Sequence, residues 1–281
     1  MQAFDRFSEL LDEVDLLLKE TRSALEEADN SKTAIEKSQH LSRANTFARS
    51  GVVLLCGHFE GFLKNLLTEF ASEINDAKIQ PEFVPASLLE TVLDTILQRC
   101  SSGSETHRKK LQDLVSGKAS IEMDGKVFSN TGGNPKVDVI DKMLNKIGIV
   151  DAIEELSQRD FGVTTRAKKS QVDLSFTSRI KSILSARSLD ISYANQIETE
   201  IIQLIEDKWA PKLIRREVGY VATIQELLEK RNLIAHGEGY PKVTDVELER
   251  LINEIKSLAL GLDQMIHIQI TILCNVATSK S

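Results

Sequence analysis

Between Lys32 and about Ile74 the chain runs 43 residues without a proline, interrupted only by Gly51, Gly57 and Gly61. Proline is the residue a helix interior tolerates least, so the stretch predicts one very long helix or two nearly collinear ones. Its middle, Val52-Val53-Leu54-Leu55-Cys56, is apolar on all sides and is expected to run through the centre of the protein. A helix of that length needs partners of matching length. Phe4, Phe7, Leu11, Val14, Leu18 and Leu25, spaced by threes, fours and sevens, mark one amphipathic helix before it. A second long helix is expected from about Asp245 to Leu273, opened by Thr244-Asp245 with Glu247 behind them.

The middle of the chain reads differently. Pro81 and Pro85 mark a turn, a helix is expected from about Ser87 to Gln98, and Ser101-Ser102-Gly103-Ser104 signals a loop. Residues 117–135 are the least helical part. Ser120 to Phe128, around Asp124-Gly125, suggests a small hairpin, and Asn130 to Pro135 a loop. Short helices follow at Val137–Lys146 and Val150–Gln158, then a mixed basic and polar section to about Leu189. Tyr193 to Ala235 reads as helical apart from Pro211. The expected fold class is therefore all-α: an antiparallel bundle forming a single domain over 1–281. Its core comes from about 1–80 and 190–275, with a partly irregular insertion at about 81–189.

Composition narrows the chemistry. Aromatics are only 5%, which favours helix over strand. The formal charge of −7 excludes a chain that coats itself in nucleic acid, so any such contact needs a local patch. Cys56, Cys100 and Cys274 form no CxxC pair, and no Cys/His cluster suggests a metal. No glycine-rich phosphate loop or acidic metal cluster points to a cofactor, so none is expected. The N-terminus lacks the apolar run of a signal peptide. The most apolar stretch, Ser257 to Leu273, is interrupted by Asp263, Gln264 and His267, so no membrane span and a cytoplasmic location are expected.

One string carries candidate chemistry: Arg231-Asn232-Leu233-Ile234-Ala235-His236, followed by Gly237-Glu238-Gly239-Tyr240-Pro241. The glycines can close a helix and the proline prevents its resumption, which puts His236 at a helix C-terminus. Asn232 and His236 share a helix face, whereas Arg231 lies about 100° round from Asn232. Histidine transfers protons near neutral pH and arginine holds a phosphate through a fork of donors, so the trio suits metal-independent cleavage of RNA by the ribose 2′-hydroxyl. Spacing alone is unspecific, and a capping histidine beside a surface arginine is the plainer reading.

The string resembles the signature of the HEPN superfamily, an arginine, a polar residue, a few variable positions and a histidine. The apolar run leading to Glu60 and Lys64, and the Phe128-to-Gly148 stretch containing Asn134, are similar to the MAE-like and RiboL-PSP-associated groups of bacterial conflict systems. The resemblance implies a homodimer with two facing motifs and an endoribonuclease leaving a 2′,3′-cyclic phosphate, in a toxin–antitoxin or antiphage role. It further implies an RNA substrate, with transfer RNA the class it suggests, and an antitoxin or sensor partner. Carried over, His236 is the proton-transfer residue, Arg231 the phosphate-binding cation and Asn232 the supporting polar group. The tyrosine found two positions after the histidine in some of these toxins is Glu238 here. Glu60 and Lys64 are spaced for an ordinary intrahelical ion pair or for buttressing the cleft. Alternative readings are a catalytically silent module that binds RNA, a nucleotide or a protein partner, and a scaffold whose long helix serves oligomerisation.

Overall fold

The computed structural model describes residues 2–101, 104–169, 197, 199–201, 212–237 and 241–278. Its first two helices, α1 (Ala3–Asp29) and α2 (Ala34–Ala77), form an antiparallel hairpin. The backbone N–H groups of Gln2 and Ala3 reach Glu69, while Arg43 near the other end of α2 pairs with Glu27. The turn between them ends in a capping box, in which Thr33 and Glu36 satisfy each other's backbone N–H. Phe7, Leu11, Val14 and Leu18 are buried as the spacing predicts. Beyond Leu18 the buried stripe passes through Thr21, Ala24 and Ala28, and Leu25 stays half-exposed. Small residues there let the two backbones converge.

At 44 residues α2 is about 66 Å long, and the later helices are laid along it. The last helix, α9 (Asp245–Thr278), runs parallel to α2, and α8 (Tyr220–His236) runs antiparallel to α9. The register of α8 and α9 is marked by Thr223–Glu254, Glu226–Arg250 and Lys230–Glu247 contacts. Thr244 and Glu247 cap α9 reciprocally. A Cβ on Gly51 would stand 2.8 Å from Leu248 Cδ2, so this glycine sets how closely α9 approaches α2.

One continuous apolar core joins these helices to the middle of the chain. A one-turn 3-10 helix (Pro81–Phe83) leads to α3 (Ala86–Ser101) and α4 (Glu105–Val115). Then come the short α5 (Gly125–Phe128), α6 (Val137–Lys146) and α7 (Ala152–Phe161). Ile140, Met143 and Leu144 of α6 and Ile153 and Leu156 of α7 belong to the same core as α2.

The all-α expectation holds, with four corrections. Residues 120–128 form no hairpin: Met123 exchanges both backbone bonds with the Asn75 side chain, Ile121 N–H donates to Ile79, and Asp124 caps α5. The groups a second strand would have paired are already satisfied. Residues 212–215, expected as helix, are instead strand β2 (Lys212–Arg215), paired antiparallel with β1 (Arg166–Lys169). The remainder of the section expected as mixed or helical between 170 and 211 lies outside the described residues, save 197 and 199–201, which are helical. Val53 and Leu54 are not enclosed. Val53 is 40% exposed and Leu54 half-buried, because α2 is covered on the faces carrying Val52, Leu55 and Cys56 but left open on this one. Finally, by length and composition α9 does contain a stretch that could cross a membrane, Asp245–Val276, and Asp263 and His267 do not break it. Its inward positions, from Leu248 to Leu262 and Ile266, pack in the core.

Candidate active site

The motif helix ends where the sequence requires. Gly237 takes the left-handed conformation, φ +68°, and closes α8 immediately after His236. Two turns earlier, buried Ile224, Leu227 and Leu228 fix α8 against the core and thereby fix the direction in which Arg231 leaves it.

Arg231 is the centre of the polar network. Its Nη1 donates to Asn232 Oδ1 at 3.0 Å, and its Nη2 donates to Asn134 Oδ1 at 3.1 Å and to the Gly133 carbonyl at 3.3 Å. The guanidinium also reaches the Cys56 thiol on α2. Burial pushes that thiol up, and the neighbouring arginine only partly offsets it. Of the five N–H donors of arginine, at least one remains for a further acceptor. All of these partners are neutral, and Arg231 forms no ion pair among the described residues.

Glu60 and Lys64 form the expected pair, Lys64 Nζ to Glu60 Oε1 at 2.7 Å. The same carboxylate oxygen accepts a hydrogen bond of 2.8 Å from Thr131 Oγ1, and Thr131 is buried. Burial alone would raise the Glu60 carboxyl. Hydrogen bonds from Lys64 and Thr131, with the charges of Lys64 and Arg231, overcome it and hold the group below the usual carboxylate range. Glu60 thus does more than pair within its helix. It pins the loop 129–136, and that loop presents Gly133 and Asn134 to Arg231.

His236 stands apart. It is exposed and forms no hydrogen bond or ion pair with the described residues. Along α8 it lies about 7.5 Å beyond Arg231 and about 140° round the helix, so one copy does not aim both groups at one phosphate. The structure therefore joins Arg231, Asn232, Glu60 and, through it, Lys64, and leaves His236 outside the network.

Thr131, Gly133 and Cys56 had no signal in the sequence, because each is recruited through a single long-range contact. Asn134 lay in the resembling stretch without a role; the structure gives it one. Short basic runs lie at 108–110, 166–169 and 215–216, and one residue of each is paired: Lys110 with Glu122, Arg166 with Asp151, and Arg215 with Asp138 and buried Asp141. Groups of three or more His, Cys, Asp and Glu placed to hold a metal are absent among the described residues.

A helical bundle built on one long helix, with an Arg-x4-His string closing a core helix over that long helix, defines a HEPN-type domain. The chain belongs to the RiboL-PSP-HEPN family, whose model matches residues 17–267. No curated protein and no solved structure matches it. Membership points to a nuclease-type or RNA-related domain.

Proposed function

We propose that the protein is a metal-independent endoribonuclease that cleaves RNA by attack of the ribose 2′-hydroxyl on the adjacent phosphate. The observation that carries this reading is the way Arg231 is held. Three neutral acceptors orient a full positive charge against the loop 129–136, with spare N–H capacity, on the helix that ends in an exposed histidine. Arg231 would bind the phosphate and stabilise the phosphorane charge. His236 would move the proton from the 2′-hydroxyl or to the leaving 5′-oxygen. The products are a 2′,3′-cyclic phosphate and a 5′-hydroxyl.

Because Arg231 and His236 diverge on one helix, the reading calls for a second copy whose motif faces the first. An apolar groove of about 550 Å³ lies on the open side of α2 and carries Leu17, Val53, Leu54 and Ile234, the last from the motif itself. It is the surface we assign to the homodimer. A cytoplasmic toxin or defence effector held in check by a partner protein fits such an enzyme, with transfer RNA as the first substrate to try.

The decisive experiment is cleavage of total RNA in EDTA by wild type, His236→Ala and Arg231→Ala. The expected result is cyclic-phosphate ends with wild type and a loss of about 100-fold or more in each variant, with folding and dimerisation intact. Equal activity, or equal inertness, in all three sinks the assignment and leaves a binding module.

A further inference from the structure

The orientation of two amide side chains carries a statement about which base the site accepts. Arg231 takes the Oδ1 atom of both Asn232 and Asn134. An amide whose oxygen is committed has its rotation fixed, and what it has left to offer is the Nδ2 group with two N–H donors. Neither Nδ2 has a partner among the described residues. Both residues line one cavity of about 320 Å³ between α6 and α8. Its apolar wall is Val137, Val221, Ile224 and Leu228, all buried, and its rim carries two cations, Lys136 and Arg215, against two acids, Asp138 and Glu229. Arg215 is tied to Asp138. With its charges balanced, the cavity suits a neutral ring better than a second phosphate. The volume lies at the small end of ligand pockets, the range of a nucleoside.

We propose that this cavity is a base-recognition subsite for the nucleotide whose phosphate Arg231 binds, and that its paired amide donors select a base presenting two adjacent acceptors. The inference rests on the ribonuclease reading above and adds specificity to it. Guanine meets the condition with O6 and N7, and cytosine with O2 and N3. Adenine fails, because its N7 acceptor is flanked by the N6 amino donor, which would oppose an N–H of the site. Uracil, whose acceptors flank an N–H, is intermediate. The apolar wall contributes stacking area common to all four bases.

The test is direct binding of nucleoside 3′-monophosphates, the hydrolysed counterparts of the cyclic-phosphate ends such cleavage leaves, by calorimetry or NMR titration of the full chain in EDTA. Wild type is expected to bind 3′-GMP and 3′-CMP about tenfold or more tighter than 3′-AMP, and tighter than inorganic phosphate. Asn134→Asp and Asn232→Asp each keep an oxygen for Arg231 but replace the amide donor with an acceptor. They are expected to lose this preference or shift it towards adenine. Circular dichroism of both variants excludes a folding defect, and two separate positions guard against one failing. Equal binding of all four nucleotides, or binding of inorganic phosphate as tight as 3′-GMP, overturns the subsite. Selective binding without RNA cleavage keeps the subsite and removes the nuclease. Cleavage with neither base preference nor selective binding keeps the nuclease and removes the subsite.

Discussion

The α1–α2–α9 bundle and the segment from 117 to 136 are built by different means. In the bundle, position follows from packing: Phe7, Phe62, Leu66 and Ile255 are each almost wholly buried, and the rings of Phe7 and Phe62 meet at a tilt of 39° with centroids 5.1 Å apart. In the segment, Ile121, Met123 and Phe128 anchor in the same core, but the stretches between them are placed by single polar side chains gripping backbone or each other: Asn75 on Met123, Glu60 on Thr131, Arg231 on Gly133 and Asn134. Packing distributes an element's position over many weak contacts, each replaceable. A hydrogen bond concentrates it in one pair, so the segment can be moved by a single substitution without unfolding the bundle. The candidate site lies where the two regimes meet.

The contrast can be broken at its strong end first. Phe62→Ala should cost about 3–5 kcal/mol and lower the urea midpoint of the whole molecule in one transition. A change confined to one segment would show that the bundle is less unified than its continuous core implies. Asn75→Ala should cost about 1–3 kcal/mol by stranding the Met123 backbone groups. It should open residues 117–136 to limited proteolysis while far-ultraviolet circular dichroism is retained, and proteolysis spread evenly along the chain would contradict local control.

Glu60→Gln sharpens the comparison through pH. The folded carboxyl sits below its unfolded value, so its contribution is present above the ordinary carboxylate range and lost as pH falls through the lower folded value. Wild type should exceed the variant by about 1 kcal/mol at neutral pH, the pair being partly exposed, and the gap should close below about pH 4. A gap constant from pH 7 to pH 3 in denaturant titrations would mean that charge plays no part. The smallest effect is expected at Gly57→Ala, where an added Cβ meets nothing within 4 Å. It should stabilise by about 0.5–1 kcal/mol, whereas Gly51→Ala, pressed on Leu248, should destabilise; thermal melts of the pair report both signs.

The same division explains what could be read from the sequence. The long helices announce themselves through periodicity, missing prolines and caps, all of which are local. Val137–Lys146 is helical as expected, and α8 stops at Gly237 as its glycine demands. Residues 120–124 were legible as non-helical, yet their turn chemistry pointed to a hairpin running on to Phe128, where α5 forms instead. The partner that prevents one, Asn75, is 48 residues away and carries no local mark. β1 and β2 escaped for a similar reason, since a four-residue strand whose mate lies far along the chain has no signature of its own. At the site, Arg231, Asn232 and His236 stood out by their order, but the loop that orients Arg231 did not. Nor does one-dimensional order reveal that the open face of α2 leaves Val53 uncovered.

The neutrality of the atoms that hold Arg231 has a consequence for long-range behaviour. A guanidinium steadied by a carboxylate is half of a dipole, and its field dies within a few ångströms. Steadied by two amides and a carbonyl, and near a Glu60 carboxylate already paired with Lys64, it keeps more of its field on a protein whose overall charge of −7 repels polyanions. Capture of a nucleic acid strand at the site then depends on the strand coming within a screening length of this charge, roughly 8 Å at physiological salt. Association becomes slow and selective, more like the docking of a key than the condensation of a counterion.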